Sequence, residues 1–252
     1  MRQFVLFFTS LFLTTAVYAQ TDEEQVVKMI NDSIKANPMN SNWLFMKGMM
    51  FAQANKFQSA IEPLSLSLKY LQQFKIDNPN AITFPNDQPL DSCDILKFRA
   101  YCYDNLDSLQ SSIADYRYLQ SRKPNDFFYS VAVARLYIKH KDFGKAQYEI
   151  DQLKRFPENE RGLVYQAVLF YEQGKYVEAL NSIGDALEKY PNSIEGLVTK
   201  AKILGKLDKP EEACKNASEA KTKITLDYFG GERGFLREFD QDIDNLKSLY
   251  CK

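Results

Sequence analysis

Small residues return at two fixed places in every stretch of roughly 34 residues, and that period constrains the fold more than any other feature of the chain. Gly48, Ala100, Ala134, Ala167 and Ala201 form one column, and Ala60, Ser112, Ala146, Ala179 and Ala213 form a second. A third column is large: Phe51, Tyr103, Tyr137, Phe170 and Leu204. From Ala100 the first column steps by 34, 33 and 34 residues, while Gly48 to Ala100 is 52, one period plus 18. Two antiparallel helices cross closely only where both carry small side chains, which the two small columns supply. The large column then fills the space between one hairpin and the next. Within a unit the apolar residues recur at helical spacing, as in Ile183, Ala186, Leu187 and Tyr190. Pro124, Pro157 and Pro191 close units, and Pro210 stands where a second helix should begin.

The stretch Leu163 to Pro191, LVYQAVLFYEQGKYVEALNSIGDALEKYP, carries Leu163, Ala167, Phe170, Gly174, Tyr176, Ala179, Ile183, Ala186 and Pro191 at spacings that resemble the tetratricopeptide repeat (TPR). The resemblance implies an all-α, right-handed superhelical solenoid of antiparallel helix hairpins. Five units are expected, at 41–74, 93–126, 127–159, 160–193 and 194–227. Residues 20–40 would supply an N-terminal capping helix, 228–252 a C-terminal one, and 75–92 an insertion rich in proline and asparagine. Such an array is expected to be one solenoid rather than two domains. The fit is uneven: Ser112 replaces a small alanine, and Ala217 stands where a larger residue is usual.

Ahead of the array, Arg2 is followed by an apolar run from Phe4 to Val17 and by Ala19 before Gln20. A basic start, a short apolar core and a small residue before polar sequence predict a secretory signal peptide over 1–19. The run falls short of the roughly 20 residues of a membrane span, and no transmembrane segment is expected further on. The mature protein is therefore expected to be exported, to the periplasm of a Gram-negative bacterium or beyond the cell. Export permits disulfides. Cys93 and Cys102 would lie about 13 Å apart along one helix, too far to bridge. Cys214 with Cys251 is the one pairing entertained.

Chemistry finds little to work with. The chain has 252 residues with 32 basic and 33 acidic, so its net charge of −1 argues against nucleic acid as a partner. Its 45% hydrophobic content is that of a globular protein. His140, the one histidine, falls in a predicted exposed turn. Asp240, Asp242 and Asp244 open like a calcium loop, but Asn245 stands where glycine is needed and Cys251 where glutamate is. They are expected to form the wet face of a capping helix whose apolar side holds Ile243, Leu246 and Tyr250. Gly230-Gly231 reads as a helix-to-helix turn. The expectation is no enzyme, no cofactor and no metal.

In proteins resembling this repeat, the first helix of each unit faces an inner groove that binds partners. Counting outward from the packing columns, the expected partner-binding residues are Phe45, Met49, Gln53, Lys97, Tyr101, Asn105, Arg135, Lys139, Tyr171, Glu172, Lys202 and Lys206. Val131, Val164 and Val198 are expected to line the same groove one turn earlier, and Lys97, Arg135, Lys139, Lys202 and Lys206 to form a basic line in it. Some family members hold a peptide's terminal carboxylate with asparagines and lysines, but Tyr101 and Ala132 stand where that clamp needs asparagine. The expected function is an exported scaffold binding a protein or peptide. The alternatives are a structural subunit of a cell-envelope assembly, or an accessory in glycan or nutrient uptake.

Overall fold

The computed structural model describes residues 16–77, 90–154, 156, 160–227 and 233–251. Most of the predicted signal segment and of the 75–92 insertion lies outside these residues, as do Pro157 and Gly230-Gly231. All regular structure among the described residues is helical, and the helices fall into two compact units, 1–123 and 124–252. Each unit is taken by itself.

The first unit holds α1 (Ala16–Ala36), the hairpin of α2 (Ser41–Gln53) with α3 (Phe57–Asp77), and the hairpin of α4 (Ser92–Asn105) with α5 (Leu109–Arg122). The second holds α6 (Phe127–Lys139) with α7 (Phe143–Leu153), α8 (Arg161–Glu172) with α9 (Tyr176–Lys189), α10 (Ile194–Lys206) with α11 (Pro210–Asp227), and a last helix α12 (Arg233–Tyr250). Helix α1 starts upstream of the expected cleavage point at Ala19. Four of the five first helices are started by short polar side chains, α8 being the exception. Asn40 accepts from the backbone of Asn42 and Trp43, Asp91 from Cys93, Asp126 from Phe128, and Ser193 from Gly196. Each bond satisfies an amide that the first helical turn leaves open.

All five hairpins turn through three residues, and the middle one is left-handed each time: Asn55 (φ 57°), Asp107 (φ 54°), Lys141 (φ 59°), Gly174 (φ 76°) and Asp208 (φ 57°). Asparagine, aspartate and glycine tolerate that region, whereas a lysine pays a steric cost there. Lys141→Gly is expected to raise the stability of the second unit by up to about 1 kcal/mol. The check is a higher urea midpoint, with a smaller gain for Asp208→Gly.

All ten residues of the two small columns are buried. At Gly48 a Cβ would sit 2.7 Å from Leu64 Cδ2 across the hairpin, so only glycine permits that crossing. Ser112, the departure in the second column, donates its hydroxyl to the Ala100 carbonyl at 2.9 Å. The crossing partner's backbone thereby satisfies a group that would otherwise be costly to bury. Among the described residues proline departs from its expected role at Pro63. Pro63 lies inside α3 and is buried, although it cannot bond the carbonyl of Ser59. Ser59 itself lies on the exposed side of α3.

Between hairpins the core is apolar. Ala52, Ala60, Leu64, Leu71, Ile95 and Cys102 join Phe45, Phe51, Phe57 and Phe98 in the first unit. Val164, Ala167, Ala179, Ile183, Ala186 and Ile203 form the corresponding layer of the second. Cys93 and Cys102 are buried free thiols, and burial pushes the Cys102 thiol up to about 11. Cys214 and Cys251 are bridged, with their Cα atoms 5.1 Å apart. Helix α12 takes the position of a further first helix, packing on both α10 and α11. Its Ile243 and Leu246 fill the space over Ala217 and Ala220, so the short side chain at Ala217 is matched rather than left wanting.

Candidate partner-binding faces

In the first unit the relevant face is built by α2 and α4. Phe45 and Met49 are half-buried, Gln53, Lys97 and Asn105 are exposed, and Tyr101 is 44% exposed. The rings are held by edge contacts, Phe45 on Phe98 at 5.6 Å and Tyr101 on Phe57 at 5.7 Å between centroids. Such pairs fix ring orientation beyond what burial alone supplies. Asn105 turns its amide inward, donating Nδ2 to the Tyr101 carbonyl at 2.9 Å. Its amide hydrogen is thus already engaged with its own helix.

Behind this face lies a tie that the repeat columns did not reveal. Arg99 of α4 grips Asp115 of α5 in a two-pronged ion pair, Nε to Oδ2 at 2.8 Å and Nη2 to Oδ1 at 2.7 Å. Its third arm donates to Ser65 Oγ of α3 at 3.2 Å. Paired with Asp115, the Arg99 guanidinium is held above its ordinary range, against the cost of burial. One planar group therefore sets the rotation of α4, and with it the outward direction of Lys97 and Tyr101. The only signal in the sequence was an arginine one residue before a small-column alanine.

The second unit departs further from expectation. Val131, Val164 and Val198 are buried, at 6%, 0% and 1% exposure, and line no groove. They lie on the side of each first helix that packs against its neighbours. Lys202 does not present a free cation either, because its Nζ meets Asp242 Oδ2 of α12 at 2.6 Å. Arg135 stands beside an enclosed network in which Tyr165 bonds Glu195, Arg161 approaches Glu195 at 3.6 Å, and the Arg161 guanidinium lies 5.7 Å over the Phe127 ring. Tyr171 is half-buried against Tyr176, ring centroids 5.6 Å apart. Lys139, Glu172 and Lys206 are exposed and of mixed sign. The uniform basic line expected from the sequence is thereby broken, because α12 and Glu195 bring acid into it.

Burial, with Glu195 next in weight, pushes the Tyr165 hydroxyl well above its usual value. A raised folded-state value means the unfolded chain ionises first as pH climbs past about 10, so stability is intact below that and falls above it. The contribution from this group falls by about 1.4 kcal/mol per pH unit until the folded form also ionises. Tyr165→Phe is expected to flatten that alkaline fall. Urea midpoints of the second unit between pH 9 and 11 check it.

His140 is exposed at the α6–α7 turn. Among the described residues no three His, Cys, Asp or Glu side chains are grouped to hold a metal, and no helix is long and apolar enough to cross a membrane. Asp240 and Asp244 both meet Lys221, at 2.7 and 2.8 Å, and Asp242 meets Lys202. The acidic run is thus a docking edge rather than a merely wet face.

No family model and no curated protein matches the chain. Solved structures do. A tetratricopeptide repeat protein from Parabacteroides merdae ATCC 43184 superposes with a TM-score of 0.59 at 16% identity, covering 93% of this chain and 96% of that one. A thermophilic TPR protein of Thermus thermophilus gives 0.53 at 12% identity, covering 82% and 98%. Yeast Tom70 gives 0.50 at 15% identity, covering 93% of this chain and 43% of its own. At such identities the likeness speaks for the fold, and it agrees with the hairpins, the buried small columns and the left-handed turns: the chain has the tetratricopeptide-repeat fold.

Proposed function

We propose that the chain is an exported, non-enzymatic scaffold for protein–protein interaction, and that a peptide or protein partner docks on the α2–α4 face of the first unit. The observation that carries this reading is Tyr101, an aromatic ring left 44% exposed yet oriented by Phe57 and flanked by Lys97. Aromatic side chains offer large contact area at low entropy cost, and tyrosine is enriched where partners bind most strongly. Stacked helix hairpins hold such side chains in place before a partner arrives, which lowers the cost of association. Export is supported by the amino-terminal sequence pattern and by the Cys214–Cys251 bridge, which suits an oxidising compartment.

The test is site-specific photocrosslinking in cells that naturally make the protein. A benzophenone side chain is placed at position 101, and separately at Tyr148 of the second-helix side, which is 60% exposed. A discrete adduct from 101, weakened by Lys97→Glu, is the expected result. Adducts from 148 with none from 101 would move docking to the second-helix side of the second unit and sink the proposal.

A further inference from the structure

We infer that α12 is a disulfide-latched resident of a docking face on α10 and α11, and that this face accepts an acidic amphipathic helix from a partner when the latch is open. The face is defined by what α12 places on it. Leu197, Val198, Ala201, Ala217, Ala220 and Ile224 make an apolar floor for Ile243, Leu246 and Tyr250. Gly205 leaves room for the Tyr250 ring, which a Cβ at that position would overlap. Two cations border the floor on different helices: Lys202 of α10 takes Asp242, and Lys221 of α11 takes both Asp240 and Asp244. A ligand for this face therefore needs apolar residues at helical spacing with acidic residues on both flanks. That is α12's own pattern, and the charge complementarity specifies the partner's chemistry.

The latch is the Cys214–Cys251 bridge, which joins the beginning of α11 to the residue after α12. Both cysteines are half-buried rather than enclosed. Helix α12 packs on α10 and α11, and a helix held by few neighbours opens more readily than one enclosed on all sides. Closing the chain between residues 214 and 251 offsets that tendency by limiting the freedom of the opened state. Opening needs a dithiol reductant. Its thiolate attacks one protein sulfur and the other leaves as a thiolate that takes a proton. The reductant's second thiol then resolves the mixed disulfide, leaving two protein thiols and an oxidised reductant. The acidic partners that α12 supplies to Lys202 and Lys221, and its cover over the apolar floor, are then withdrawn. This extends the scaffold reading without resting on it, because the test concerns the chain alone.

The probe is a fluorescein-labelled peptide of residues 233–251 carrying Cys251→Ser, titrated onto the full chain with the bridge intact, after reduction with dithiothreitol, and in the Cys214→Ser/Cys251→Ser variant. Binding at least about tenfold tighter to the two open forms is expected, with Lys202→Glu plus Lys221→Glu reversing the gain. In parallel, reduction should speed amide exchange in α12 by about a hundredfold or more while α8 and α9 stay protected. Equal peptide affinity in all forms would overturn the inference, as would binding insensitive to the lysine changes. So would unchanged exchange in α12, or loss of protection in α8 and α9 together with α12.

Discussion

Asp115→Ala is expected to lower the stability of the first unit by about 3–5 kcal/mol, the largest effect of any single substitution considered for this chain. The magnitude follows from what is left behind rather than from the bond removed. Arg99 is 18% exposed at its side chain and cannot lose its charge, so without Asp115 a guanidinium stays enclosed with Ser65 as its remaining hydrogen-bond acceptor among the three named groups. Replacing both partners, as in Arg99→Met with Asp115→Leu, should recover most of the loss, since well-packed apolar residues stand in for a buried pair at little net cost. Urea denaturation followed by helical circular dichroism reads both variants. A loss below about 1 kcal/mol for Asp115→Ala would mean the pair behaves as a solvated surface bridge and does not tie α3, α4 and α5 together.

Ile183→Ala is expected to cost the second unit about 2–5 kcal/mol. Ile183 is fully enclosed and touches the layer formed by Val164, Ala167, Ala179, Ala186 and Ile203, which come from three helices. The alanines on either side of it belong to the small columns or carry no side chain long enough to close the gap, so the cavity stays open. Because Ile203 lies on α10, the substitution also loosens one hairpin from the next, and repeat arrays draw much of their stability from such neighbour interfaces. Val177→Ala on the same helix serves as the control. Val177 is 61% exposed, and its truncation should change stability by no more than about 0.5 kcal/mol. Similar losses for the two variants would mean that the register assigned to α9 is wrong.

Local features of the fold were legible because each is set by one or two residues. The alanine at 167 and the alanine at 179 announce a close helix crossing whatever surrounds them, and both are fully buried. Pro210 marks the first turn of α11 from its own missing amide hydrogen, and it stands there. Other features needed side chains distant in sequence. Ser112 looked like a flaw in its column until the Ala100 carbonyl came within reach of its hydroxyl. Ala217 looked too small until Ile243 and Leu246 arrived over it. Proline by its chemistry ends helices, yet α3 continues through Pro63.

The candidate site was less legible than the fold, for an electrostatic reason. Counting along a helix places Lys202 and Arg135 on a face, but the charge that a face displays depends on what lies across from it. Asp242 is 40 residues from Lys202, and Glu195 is 34 from Arg161. Helical period carries no information about such pairings. The same holds for Val131, Val164 and Val198, whose positions one turn from exposed residues suggested a lining role and whose packing against neighbouring helices removed it.

By itself, then, the sequence determined the helical period, the hairpin crossings, the turns and the apolar layers, all of which rest on contacts within one repeat or between adjacent ones. The capping helix at the C-terminal end and the Cys214–Cys251 pairing were also expected from the sequence, and the structure has both. The tertiary structure alone decided which cations remain exposed and that Arg99 and Asp115 bind three helices together. Those outcomes depend on charges meeting between elements, where burial raises the cost of a missing partner and makes the pairing specific.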